Sequence, residues 1–105
     1  MSMWRQYIVL RGQSGRTAQG FVKLFFTHQA CNVSASLSRI QKGSYTLYIW
    51  DGDRLRQWEM CHNGRELRLQ VKTELQNARI EAAIVDQGGQ LVALGESCDP
   101  RADWI

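Results

Sequence analysis

The side chains with the widest chemical range in this chain are two histidines and three cysteines: His28 and Cys31, Cys61 and His62, and Cys98. The segment His28-Gln29-Ala30-Cys31 sets two candidate ligands on a two-residue spacer, as metal loops do. Cys61 and His62 are adjacent, so in a strand their side chains diverge. Together with Cys98 these residues could supply a tetrahedral zinc set. The paired Cys-x-x-Cys spacing that marks such sites is absent, and the expectation is no metal, with cysteines acting as small buried or surface side chains and histidines solvated. A Cys–His nucleophile pair would also need an orienting third group and an oxyanion hole. No pattern in the sequence supplies them, so no catalytic residue is assigned and the chain is expected not to be an enzyme. Asp51 and Asp53 flank Gly52, and Asp-x-Asp can begin a calcium loop. The later Gly and Glu of an EF-hand are missing, which leaves turn chemistry as the reading. Gly12-Gln13-Ser14-Gly15 is not followed by the Lys-Ser/Thr of a phosphate loop. No cofactor is expected.

The elements that would position these residues are strands. Asn32-Val33-Ser34-Ala35-Ser36-Leu37-Ser38 alternates apolar with small polar residues, and Arg65-Glu66-Leu67-Arg68-Leu69-Gln70-Val71-Lys72 alternates apolar with charged ones. A period of two places each set on its own face of a β-strand. Eight candidate strands follow, at about 3–11, 20–27, 32–39, 45–50, 54–61, 65–72, 78–86 and 90–95, separated by Gly, Asn, Asp and Ser turn signals. The longest loop runs from Gly12 to Gly20, and Thr73 to Asn77 forms a longer connection with room for one helical turn. The expected fold is all-β: an antiparallel seven- to eight-stranded sandwich of immunoglobulin-like form, with a small closed β-barrel as the alternative. Residues 1–105 form a single domain, with 96–105, which holds the only proline, as a C-terminal tail.

Two turns give registers. Asn63-Gly64 favours a two-residue type I′ hairpin, which sets His62 opposite Arg65, Glu59 opposite Arg68, Trp58 opposite Leu69 and Met60 opposite Leu67. A two-residue turn at Asp51-Gly52 likewise pairs Trp50 with Asp53 and Tyr45 with Trp58. Tyr45, Leu47 and Ile49 then face the core, while Thr46, Tyr48 and Trp50 point outward beside Leu55.

That outward set is the candidate site. Tyr48, Trp50 and Leu55, with Arg54 and Arg56 at the rim, are expected to form a partner-binding surface of the aromatic and arginine type found at interfaces. The expected function is a non-enzymatic β-sandwich that serves as a protein–protein interaction or accessory module, with a larger bacterial assembly as its expected setting. The expected partner is a protein or a second copy, in a two-fold homodimer anchored by Trp50. If the chain stays monomeric, Trp104 of the tail could cover Trp50 instead. One alternative is a carbohydrate-binding or small hydrolase domain that uses Trp50 and Trp58. Another is a barrel that binds single-stranded nucleic acid through Arg39, Arg54, Arg56, Tyr48 and Trp50. Nucleic acid is disfavoured because the net charge is only +3, the three lysines do not cluster and ten acidic residues are interspersed with the ten arginines. With no secretory core and no apolar run of membrane-spanning length, a reduced, cytoplasmic setting and no membrane contact are expected.

The stretch from about 32 to 95 resembles the small β-sandwich domain at the C-terminus of anti-sigma-K-type factors. The resemblance is carried by Val33-Ser34-Ala35-Ser36-Leu37, by Tyr45-Thr46-Leu47-Tyr48-Ile49-Trp50 running into Asp51-Gly52-Asp53, and by the Ile80-x-Ala82-x-Ile84 strand leading to Gly88-Gly89. It implies an immunoglobulin-like sandwich. The membrane helix and helical sigma-binding region of those factors have no counterpart here, so anti-sigma activity is not implied.

Overall fold

The computed structural model describes residues 4–13, 15, 17–27, 30–62, 66–74 and 79–96. Eight strands occupy them: β1 (Trp4–Gly12), β2 (Gln19–Phe26), β3 (Cys31–Ser38), β4 (Gly43–Trp50), β5 (Leu55–His62), β6 (Glu66–Thr73), β7 (Glu81–Asp86) and β8 (Leu91–Glu96). All pairings are antiparallel, and the strands form one continuous sheet in the order β5-β4-β7-β8-β1-β2-β3-β6. The all-β antiparallel fold is as expected. Of the two arrangements considered, the molecule takes the barrel-like one, for the sheet rolls until its edge strands β5 and β6 lie side by side. Where they meet, Arg56 Nε donates to Thr73 Oγ1 at 2.9 Å across the seam. Among the described residues no helix is long and apolar enough to cross a membrane.

Alternation fills the interior. On β3, Cys31, Val33, Ala35 and Leu37 are buried, and on β1 Gln6, Ile8 and Leu10 are. Val22, Leu24 and Phe26 of β2, Tyr45, Leu47 and Ile49 of β4, and Ala82 and Ile84 of β7 complete the same lining. An eight-stranded barrel is just wide enough for side chains to fill it. Here they do, with Trp58, Leu69 and Val71 packed on the core beside the seam. Two glycines let the sheet turn its corners. A Cβ on Gly20, which faces Leu37 of β3, would lie 2.0 Å from the Ser36 carbonyl oxygen, and one on Gly95 would lie 2.3 Å from that of Val9. Glycine inside a strand marks such a tight bend or close backbone approach.

Both sequence-derived registers change. The Asn63-Gly64 hairpin does not pair β5 with β6: these strands stand at opposite ends of the hydrogen-bonding order, and β6 pairs along its whole length with β3 instead, Leu69 opposite Ala35 and Val71 opposite Val33. The turn itself and Arg65 lie outside the described residues. Pairing with β3 keeps Leu69 and Val71 on an inward face, so the alternation is served equally well by the non-local neighbour. Between β4 and β5 the register is Trp50 to Leu55 and Tyr45 to Met60, two residues from the expected one. The loop is longer because the Asp51 carboxylate closes it. Its Oδ1 accepts from the Asp53 and Arg54 amides at 2.9 and 2.8 Å, while Gly52 takes a φ of +93°. A shift of two preserves the faces, so Tyr45, Leu47 and Ile49 still point inward. Asp86 works in the same way at the β7–β8 turn, its Oδ1 accepting from Gly88 and Gln90. The 73–77 connection falls largely outside the described residues, as does the 96–105 tail beyond Glu96, including Trp104.

Candidate interaction surface

Of the two histidines and three cysteines, only Cys31 has its side chain among the described residues. His28 and Cys98 lie outside the described residues, and for Cys61 and His62 the backbone alone is described, paired to Ser44 and Gly43. Cys31 is fully buried at the inner end of β3. Burial pushes its thiol from 9.0 up to about 12, and a backbone hydrogen bond from Phe25 offsets this in part. A thiol so disposed is a packing group and no nucleophile at neutral pH. Among the described residues no three His, Cys, Asp or Glu side chains group as metal ligands would.

The expected surface on β4 and β5 is brought together only in part. Trp50 and Leu55 are direct cross-strand partners, 40% and 58% exposed, with Tyr48 half-buried one row away. Arg54 stands at their edge with its Nε 3.7 Å from Asp53 Oδ2. Arg56 does not join them. It pairs with the buried Ile49, so it sits on the inner face and is spent on the seam to Thr73. Arg39 is in the turn before β4 with a left-handed φ of +59°. Trp58, opposite Leu47, packs on the core. The wall around Trp50 is acidic: Glu81 pairs with Trp50, Glu59 pairs with Thr46, and both are exposed.

A second surface was not read from the sequence. On the outside of β1 and β2, Tyr7 is 55%, Val9 61% and Phe21 39% exposed, and Leu94 of β8 joins them at 43%. They are contiguous, because Val9 pairs with Phe21 and Leu94 pairs with Arg11, one row from Val9. Cations interleave them. Arg5 lies 5.3 Å from the centre of the Phe25 ring and Lys23 5.4 Å from that of Phe21, both within cation–π range. Beyond β2 the outer face of β3 carries only Asn32, Ser34, Ser36 and Ser38, so the surface dips into a shallow groove bounded on the far side by Gln70. One signal in the sequence could have revealed this wall. The expectation of interspersed acidic residues is corrected by their positions: none precedes Asp51, so residues 1–50 hold six of the thirteen basic residues and no acidic one, and all ten acidic residues share 51–105 with the other seven.

The two walls are opposed. Around the rolled sheet, β5 lies four strands from β1 in either direction, and β4 lies four strands from β2. Trp50 and Leu55 therefore project from the side of the barrel opposite Tyr7, Val9 and Phe21. No family model, curated protein sequence or solved structure matches this chain.

Proposed function

We propose that this protein is a non-enzymatic interaction module whose principal binding surface is the outer wall of β8, β1 and β2, and that its partner is anionic and partly apolar. The observation that carries this reading is the contiguous exposure of Tyr7, Val9, Phe21 and Leu94 on adjacent strands among Arg5, Arg11 and Lys23. Apolar residues exposed singly are ordinary. A contiguous set rimmed by one sign of charge is the mark of a contact surface. A photo-crosslinking residue placed at Val9 or Phe21 in cells that make the protein should give discrete adducts that fade at high salt, and one at Gln87 in the β7–β8 turn should not. Equal labelling from all three positions would remove the reading.

Lys23, which lies over the Phe21 ring and is the cross-strand partner of Tyr7, favours a second reading, single-stranded nucleic acid stacked on Tyr7 and Phe21. Titration with an oligonucleotide tests it: tyrosine or tryptophan quenching that weakens steeply with salt supports it, and no quenching removes it.

A further inference from the structure

We infer that the partner of the β1–β2 wall is the β4–β5 wall of a second copy, so that the protein associates head to tail. The inference rests on the reading above, that the β1–β2 wall is a binding surface. It adds the occupant, which the complementarity of the two walls selects. One wall offers Tyr7, Val9 and Phe21 with Arg5, Arg11 and Lys23, and no strand from β1 to β4 contains an acidic residue. The opposite wall offers Trp50, Leu55 and the half-buried Tyr48 with Glu59 and Glu81. The cations in the loops beside it are engaged by other carboxylates, Arg54 beside Asp53 at 3.7 Å and Arg79 on Glu96 at 2.9 Å, so they do not offset Glu59 and Glu81. Apolar centre meets apolar centre, and cation rim meets acidic rim.

The same charges disfavour the two-fold dimer that the sequence suggests. A contact of the β4–β5 wall with itself sets Glu59 and Glu81 against their own copies, and a contact of the β1–β2 wall with itself sets Arg5 and Lys23 against theirs. A heterologous contact avoids both. Because the walls lie on opposite sides of the barrel, each copy that joins presents a fresh wall, and the assembly grows as a chain until a rotation closes it. A contact three strands wide and eight residues long covers roughly 14 by 27 Å, about 400 Å² on each copy. That is at the weak end of specific interfaces, so dissociation constants of order 10–100 μM are expected.

Sedimentation of the full chain tests this. The average mass of the wild type should climb steadily between about 10 μM and 1 mM, and should climb less in high salt. Val9→Asp blocks one wall and Leu55→Asp the other. Both side chains are more than half exposed, so the fold should survive, and circular dichroism checks that it does. Each variant alone should be monomeric. An equimolar mixture should form a dimer and stop there, since it retains only one compatible pair of walls. If either variant unfolds, Tyr7→Glu and Trp50→Glu form an independent pair. A wild type that stays monomeric at the highest concentration overturns the inference. So does a mixture that stays monomeric, or a Leu55→Asp variant that still associates alone. If crosslinking from Val9 persists while the mixture is monomeric, the surface stands and only the choice of partner fails. If Val9 gives no adducts, the surface itself is removed.

Discussion

Replacing Gly20 with alanine should be among the most damaging single-methyl changes in this protein. The added Cβ would sit 2.0 Å from the Ser36 carbonyl oxygen and 2.9 Å from the Leu37 Cα, both backbone atoms of the paired strand that no rotamer change can move. Bringing the first contact even to 3.0 Å opens β2 from β3 by about 1 Å, which carries neighbouring N–H···O bonds past useful length. Losing two or three ladder bonds at about 1 kcal/mol each, with about 1–3 kcal/mol for the forced displacement, gives about 3–6 kcal/mol. For a domain whose whole stability is of order 5–15 kcal/mol this is a large fraction. The thermal midpoint should fall by roughly 15–30 °C, and the urea midpoint by about 2–3 M. Gly88→Ala is the control. Its Cβ would meet only the Asp86 carboxylate at 3.4 Å, and it should stay within about 0.5 kcal/mol of wild type. Paired urea and thermal melts followed by circular dichroism decide the matter. A Gly20→Ala protein within 1 kcal/mol of wild type, or no worse than Gly88→Ala, would refute the claim that the β2–β3 corner depends on a bare backbone.

Asp51→Ala should cost about 1–3 kcal/mol in urea melts, because two part-buried turn amides lose the acceptor that closes their loop. Asp51→Asn keeps a carbonyl acceptor and should recover at least half of that loss. The seam should respond as a coupled pair: a double-mutant cycle of Arg56→Ala and Thr73→Val should return a coupling of about 1 kcal/mol, and strict additivity would show that the 2.9 Å bond contributes nothing. Cys31 carries a pH signature. Its thiol is pushed up to about 12 in the folded state, so its contribution to stability is complete below the ordinary value of 9.0 and is lost as pH rises from there through about 12. Over that window wild-type stability should fall more steeply than that of Cys31→Ala, by about 1.4 kcal/mol per pH unit. Parallel slopes in urea melts at matched pH would refute the shift.

Much of this architecture was legible, and the failures share one cause. Alternation reports which side of a strand is apolar and says nothing about which strand lies beside it. Val33, Ala35 and Leu37 could therefore be placed inside from the sequence, and the inward faces of β4 and β5 survived a register error of two. The same property hid the neighbour of β6. Leu69 and Val71 suit Ala35 and Val33 of β3 as well as they suit Trp58 of β5, and a local turn signal at Asn63-Gly64 favoured the wrong choice. Arg56 was misplaced because alternation puts it on the face opposite Leu55, the inner one with Trp58 and Met60, and Arg54 escapes that face only because β5 begins after it, at Leu55. The β1–β2 wall was missed because Tyr7, Val9 and Phe21 lie in apolar stretches that read as core on both sides. Only the rolled sheet shows that one side is open to water, and only the position of the first carboxylate, at Asp51, hints at the charge it carries.

The pairing of β8 with β1 also sets a schedule for synthesis. Gly12 finds its partner only when Ala93 has been made, 81 residues later, and at about 5–20 residues per second that is roughly 4–16 s. Through that interval β1, β2 and β3 can zip into a meander on their own, yet the free edge of β1 stands open beside Tyr7 and Val9. It is the most adhesive stretch of the nascent chain and the last to be covered. Conditions that slow translation of the second half of the chain, or substitutions that delay the β7–β8 hairpin, should therefore lower the yield of folded protein without altering the stability of the molecules that do fold.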